Sequence, residues 1–215
     1  AYGTQALRPL SKKWIALGII NTFDPYIFGF HCIGIMLWVF GTDPVWTFGI
    51  MYVIIVCYYI LRFMVQRAVK HAVHSAIQDE EYVIVAPTMR FFYWRIAAAS
   101  KTHYYVGRAY RRSVNIYDKF EIVPLPRTPH VHAAMQDANL RSFVSFSPLY
   151  RWEISELPSG LTEVRLIDLR YRSNNRYPFV AVAHVNDNLE VVNSYTGWIF
   201  SEDKLQQKLQ IGASD

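Results

Sequence analysis

The sequence predicts a membrane α-helical hairpin followed by a soluble α+β domain with a mainly antiparallel sheet. Three observations carry that prediction. Apolar residues make up 52% of the 215-residue chain and charged residues only 18%, against about 25% charged in ordinary soluble domains. Two uncharged apolar runs follow one another, PYIFGFHCIGIMLWVFG from Pro25 to Gly41 and VWTFGIMYVIIVCYYIL from Val45 to Leu61. From Glu81 onward, the texture changes to short runs of Val, Ile, Tyr and Phe broken by Pro, Gly, Asn and Ser, which is a strand pattern.

Each apolar run has 17 residues. As a helix, each would span about 25 Å, at the short end of what a hydrocarbon core of about 30 Å requires. Charge placement supports two crossings. Arg8, Lys12 and Lys13 precede the first run, Arg62, Arg67 and Lys70 follow the second, and the intervening turn holds Asp43 and no base. By the positive-inside rule both flanks face the cytoplasm and the Gly41 to Pro44 turn faces outside, with Trp38 and Trp46 near that turn and Trp14 at the opposite interface. The division is therefore a segment 1–24 leading to the membrane, a hairpin with a juxtamembrane helix over 25–78, and a cytoplasmic strand-rich domain over 79–215. The expected location is the cell (inner) membrane, with the lipid bilayer as partner.

The net charge of +5 is not a nucleic-acid footprint. Residues 1–78 hold six Lys or Arg against Asp24 and Asp43, while residues 79–215 hold sixteen against fifteen acids. The excess is juxtamembrane, where anionic lipid accounts for it. Arg108, Arg111 and Arg112 lie among Tyr104, Tyr105 and Tyr110, but tyrosines on a half-buried strand are ordinary β propensity. Cys32 and Cys57 both sit inside the apolar runs, which excludes a disulfide framework.

In the strand-rich domain, the predicted strands are Tyr82 to Pro87, Phe91 to Ala98, His103 to Arg111 and Tyr117 to Val123. A Pro-rich connector and a helix from Val131 to Phe143 follow. A second group of strands runs from Tyr150 to Phe200, and its short connections favour an antiparallel meander. Ser173-Asn174-Asn175 and Asn186-Asp187-Asn188 suit its turns, because Asn and Asp tolerate positive φ. A final charged helix follows Ser201, a candidate N-cap.

The chain contains no nucleophile elbow, glycine-rich phosphate loop or paired-histidine metalloprotease motif. His71 and His74 share one side of the juxtamembrane helix, and His130 and His132 flank one residue of a predicted loop. Neither pair has an acidic or Cys partner at ligand spacing, so both read as solvated histidines.

The opening AYGTQALRPLSKKWIALGIINTFDP combines a Tyr-Gly-Thr-Gln tetrapeptide, an Arg-Pro pair followed by Ser-Lys-Lys-Trp, and Phe-Asp-Pro before an apolar run. It resembles the inner-membrane-associated metal-dependent hydrolases of the YdjM/YfhP type. The later segments VRLIDLRYR, YPFVAVAHV and NSYTGWIFSEDKLQQKL look like the C-terminal half of longer YfhP-like members. The resemblance implies His and Asp metal ligands mostly upstream of the Tyr-Gly-Thr element. It therefore implies that this chain is the C-terminal portion of a longer protein and is inactive alone. It places Tyr2, Gly3, Thr4, Gln5, Arg8, Pro9 and Asp24 near the presumed site, and assigns none of them a catalytic role. The implied cofactor is a divalent metal in the full-length protein, with zinc as the candidate; its chemistry would be hydrolysis by metal-activated water.

Asp24 and His31 are the metal candidates within the chain. Asp24 before Pro25 also reads as an N-cap, and His31 as an intramembrane polar residue packed on the second helix. The alternative function is a non-enzymatic membrane protein whose soluble domain binds a protein or regulatory partner.

Overall fold

The computed structural model describes residues 7–11, 18–77 and 79–212. Two helices come first, α1 (Pro25–Val39) and α2 (Pro44–Ala76). The same device starts both: an aspartate in extended conformation caps the helix and proline takes the first turn, where its missing N–H costs nothing. α1 has 15 residues, about 22 Å, and is shorter than the predicted run. α2 has 33 residues and passes Arg62 without a break, so the predicted second crossing and juxtamembrane helix are one continuous element. Among the described helices, α2 alone is long and apolar enough to cross a membrane by length and composition. Its buried residues, Met51, Ile55, Tyr58, Arg62, Gln66, Val69 and Val73, recur every three or four positions and form one stripe.

Four strands follow: β1 (Glu80–Pro87), β2 (Tyr93–Ser100), β3 (His103–Tyr110) and β4 (Ser113–Glu121) form a sheet in that order. β1 and β2 pair antiparallel, with Val83 opposite Ala98. The predicted start of β2 at Phe91 is two residues early. Thr88 Oγ1 donates to the carbonyl of Tyr93 (2.8 Å) and accepts from the amide of Arg90 (3.2 Å), which keeps Phe91 and Phe92 in the turn. β3 stops before Arg111, whose φ of 55° turns the chain and lets β4 begin at Ser113, earlier than predicted.

Two short helices come next, α3 (Pro129–Gln136) and α4 (Ala138–Phe146), where one was predicted. Asp137 is the reason. Its extended backbone (φ −63°, ψ 143°) ends α3, and its carboxylate accepts from the amides of Asn139 (2.8 Å) and Leu140 (3.2 Å) to start α4. His130 and His132 thus lie in the first turn of α3 rather than in a loop.

The last strands, β5 (Tyr150–Glu156), β6 (Thr162–Asp168), β7 (Phe179–Val185) and β8 (Val191–Trp198), form an antiparallel meander, and α5 (Glu202–Gly212) closes the chain. The amide of Leu205 donates to the carbonyl of Ser201, which puts Ser201 at the N-cap position. The strand-rich part therefore holds two four-stranded antiparallel sheets where the sequence suggested one. Contacts divide the chain into two compact units, Ala1–Ser100 with Gly107–Asp118, and Lys101–Val106 with Lys119–Asp215.

The second sheet is covered on both faces. Val164, Leu166, Ala181, Ala183 and Val185 pack under Val131, Ala134, Leu140 and Phe143 of α3 and α4, whereas Ile167, Val180 and Val182 meet Leu205 and Leu209 of α5. The sheet is thus sandwiched between helical layers, and this explains why FVAVAHV reads as a continuous apolar run rather than an alternating one. One corner is tied by polar groups. Buried Asp168 accepts from Ser147 at the end of α4 and takes Arg170 through both carboxylate oxygens.

Candidate functional site

In the first unit, the apolar helices end on a buried polar cluster. Asp24 Oδ1 accepts from the amides of Tyr26 (3.0 Å) and Ile27 (3.2 Å), and Oδ2 accepts from the hydroxyl of Tyr58 (2.8 Å). One turn along α2, Arg62 is 1% exposed. It donates through Nε to the carbonyl of Ile19 (3.0 Å) and through a terminal nitrogen to the carbonyl of Phe91 (2.5 Å), while its guanidinium lies 4.2 Å from the Trp94 ring centroid. Another turn on, Gln66 Nε2 donates to the carbonyls of Gly18 (2.8 Å) and Val85 (3.3 Å). Three consecutive turns of one helix therefore fasten the segment before α1 and the β1–β2 hairpin to the base of α2. A buried charge needs such partners, because leaving it unpaired costs several kcal/mol.

Above this cluster, the helices expose apolar side chains. Ile35, Leu37, Trp46, Val53, Ile54 and Val56 are all exposed, and only 22% of the most apolar stretch of α2 is buried. Gly34 lets α1 approach α2, since a Cβ there would stand 2.9 Å from Met51 Sδ and 3.3 Å from the Phe48 ring.

Of the residues singled out in the sequence, Asp24 is the N-cap, with both oxygens occupied by donors within the unit. His31 Nδ1 lies 2.8 Å from the carbonyl of Ile27, and its ring packs edge-on to Tyr52. Arg8 and Pro9 lie in an exposed turn. Tyr2, Gly3, Thr4 and Gln5 lie outside the described residues, as do Lys12, Lys13 and Trp14. No group of three or more His, Cys, Asp and Glu able to hold a metal occurs among the described residues. With its carboxylate capped and bonded to Tyr58, Asp24 does not fit a metal site, and no step through a metal follows from the described residues. His74 pairs with Glu80 (3.1 Å), and the Arg111 guanidinium rests on the rings of Phe92 and Tyr110.

The second unit holds a polar constellation that sequence reasoning missed. Glu163 on β6 accepts from His184 Nε2 on β7 (2.9 Å) and from Arg165 (2.9 and 3.0 Å), with His184 3% and Glu163 6% exposed. The β6–β7 register sets Glu163 directly opposite His184. Burial pushes the Glu163 carboxyl up, but the hydrogen bonds and positive charge of His184 and Arg165 outweigh it and hold the group below its ordinary range. Beside it, an open groove of about 510 Å³ is lined in part by Arg151, Arg165, Arg176, Tyr177, Phe200 and Ser201.

Residues 78–120 match the YfhP middle domain, and residues 129–209 match the YfhP C-terminal alpha/beta plait domain. Together these cover more than half of the chain. The chain belongs to the YfhP family. It is 52% identical over 214 residues to the protein YfhP of Bacillus subtilis (strain 168), covering 99% of this chain and 65% of that protein. The chain thus spans slightly less than two thirds of the relative's length. No solved structure matches it. Within the YfhP family match, the plait region takes in α3 through most of α5, and the middle domain takes in the first sheet.

Proposed function

We propose that this chain is the membrane-anchoring and cytoplasmic portion of a metal-dependent hydrolase of the cell membrane. In this reading α1 and α2 lie in the bilayer, the strand-rich region faces the cytoplasm, and the chain supplies no catalytic group of its own. The observation that carries the reading is the outward-facing apolar surface of α1 and α2. A buried core helix hides its apolar residues, whereas here the buried stripe of α2 grows polar at Arg62 and Gln66 while Val53, Ile54 and Val56 face outward. Exposed apolar surface of this extent marks a membrane or partner contact. α1 is short for a hydrocarbon core of about 30 Å, which tilting or local thinning accommodates at modest cost. Arg62 then sits where the bilayer ends, held by protein carbonyls and aromatic rings rather than exposed to lipid, as intramembrane charges are. The hydrolytic part of the proposal rests on the family resemblance of the opening segment, and its metal ligands lie outside this chain.

The test replaces Cys32 and Cys57 with serine and introduces single cysteines as Thr42→Cys or Asn188→Cys. Membranes are then extracted with alkaline carbonate, and intact cells are labelled with an impermeant maleimide. The chain should stay in the membrane pellet, with Thr42→Cys labelled on intact cells and Asn188→Cys only after lysis. Release by carbonate, or the reverse labelling, overturns the anchor. Elemental analysis of the full-length Bacillus subtilis relative tests the hydrolase part. Stoichiometric divalent metal that survives Asp24→Asn at the matching position supports it, and no metal favours a non-enzymatic membrane protein whose second unit binds a partner.

A further inference from the structure

We propose that the arginine-lined groove of the second unit binds the phosphate group of an amphiphilic phosphoester. The proposal stands apart from the membrane reading, because it concerns residues of one unit only. Three guanidiniums line the groove, Arg151, Arg165 and Arg176, together with the carboxylate Glu153, which pairs with Arg151. Glu163 beside the groove pairs with Arg165 and His184, which leaves Arg176 as the excess positive charge. Arg151 gives one terminal nitrogen to Glu153 (2.6 Å) and rests over the Phe120 ring, yet its buried Nε has no hydrogen-bond partner among the described residues. A buried donor without an acceptor is unfavourable, and a shift of the Arg151 side chain toward an anion in the groove would supply the acceptor. Arg176 makes one long contact, 3.3 Å, to the carbonyl of Phe200, which leaves most of its fork for a ligand. Ser201 adds a hydroxyl at the start of α5.

Several donors converging from separate elements suit a phosphate, whose oxygens accept bidentate guanidinium contacts. The wall also carries Asn175 and Tyr177 and the apolar Ile167, Val180, Ile199 and Phe200, of which Phe200 is the exposed one. Phe200 is 59% exposed and stacks on Trp198, itself 40% exposed, with centroids 6.2 Å apart. A bare inorganic anion gains nothing from these side chains, whereas the chain of a phosphoester does. An acidic peptide would bring planar carboxylates and a backbone needing partners; a groove rimmed by guanidiniums beside the exposed Phe200 favours a compact anionic head on an apolar chain.

The test titrates the full chain in non-ionic detergent with dihexanoyl phosphatidic acid. Inorganic phosphate and dihexanoyl phosphatidylcholine serve as comparisons, and the readout is the Nε–H resonances of Arg151, Arg165 and Arg176, assigned by substitution. Phosphatidic acid should shift these resonances and bind at least about tenfold tighter than inorganic phosphate. Arg176→Gln, on an exposed loop, should weaken binding by about tenfold, the effect of losing one charge-assisted contact. Equal binding of inorganic phosphate overturns the amphiphile assignment, and equal binding of phosphatidylcholine overturns the anionic one. Binding unchanged in both Arg176→Gln and Arg151→Gln overturns the groove itself.

Discussion

Replacing Glu163 with glutamine separates charge from shape in the second sheet. Glutamine keeps the volume and one acceptor oxygen, but it loses the negative charge and presents an amide where His184 or Arg165 expects an acceptor. Glu163 takes three contacts between 2.9 and 3.0 Å from these two residues. Hydrogen bonds to charged groups contribute about 1.5–3 kcal/mol each. The Arg165 side chain is 18% exposed, so its share is screened and discounted. A net loss of about 2–3 kcal/mol follows, and with a urea dependence of about 1–3 kcal/mol per molar the midpoint falls by about 1–2 M. The pH dependence has a fixed sign. The folded-state value of Glu163 lies below the ordinary 4.5, so its stabilisation is present above that value and is lost as pH falls through the folded-state one. Urea titrations of the full chain in detergent, followed by far-ultraviolet circular dichroism, should show a constant gap between wild type and Glu163→Gln from pH 8 to about pH 5, closing at lower pH. A gap under about 0.5 kcal/mol at pH 7, the range of an indifferent surface substitution, refutes the reasoning. So does a gap that closes as pH rises.

Two further substitutions test backbone requirements. At Gly107 an added Cβ would stand 2.3 Å from the carbonyl oxygen of Asn115, which is backbone and cannot swing away; Gly107→Ala should destabilise the first sheet by about 3 kcal/mol or more, read as early loss of amide protection in β3 and β4. Leu189 is 43% exposed and holds φ at 64°, a conformation that costs a non-glycine residue about 1–2 kcal/mol; Leu189→Asn should raise stability by about 1 kcal/mol in the same urea assay, and a loss would show that the leucine side chain has a packing role there.

The helices were legible because one physical signal, apolar residues without charge, coincided with Asp-Pro starts at Asp24 and Asp43. The continuation of α2 past Arg62 was legible too; what the sequence did not disclose is that α1 is two residues shorter than its run. Arg62 marks the end of a hydropathy plot, but a charged residue satisfied by carbonyls from Ile19 and Phe91 leaves helical geometry intact. Turns showed the same division. Asn174 and Asn175 take positive φ as their chemistry allows, while in the next turn the strained position falls on Leu189, one residue past the Asn-Asp-Asn signal. Composition located that turn, and the hydrogen bond from the Glu190 amide to Asn186 Oδ1 decided which residue would be bent.

Site residues were harder to see for a reason that depends on register. Asp24 was readable because its capping partners lie two and three residues away, whereas its third partner, Tyr58, is 34 residues distant. Glu163 and His184 are 21 residues apart, and each alone resembles an ordinary polar residue in an apolar strand. A strand buried on both faces should exclude them, so the departures from apolar patterning, Glu163, Arg165 and Asp168 in TEVRLID and His184 in FVAVAHV, were the available signal. In the meander, adjacent strands must pair antiparallel, and the β6–β7 connection fixes which residues meet. A buried acid on one strand and a buried histidine on the next then imply each other, because either one alone would be left as an uncompensated polar group in the core.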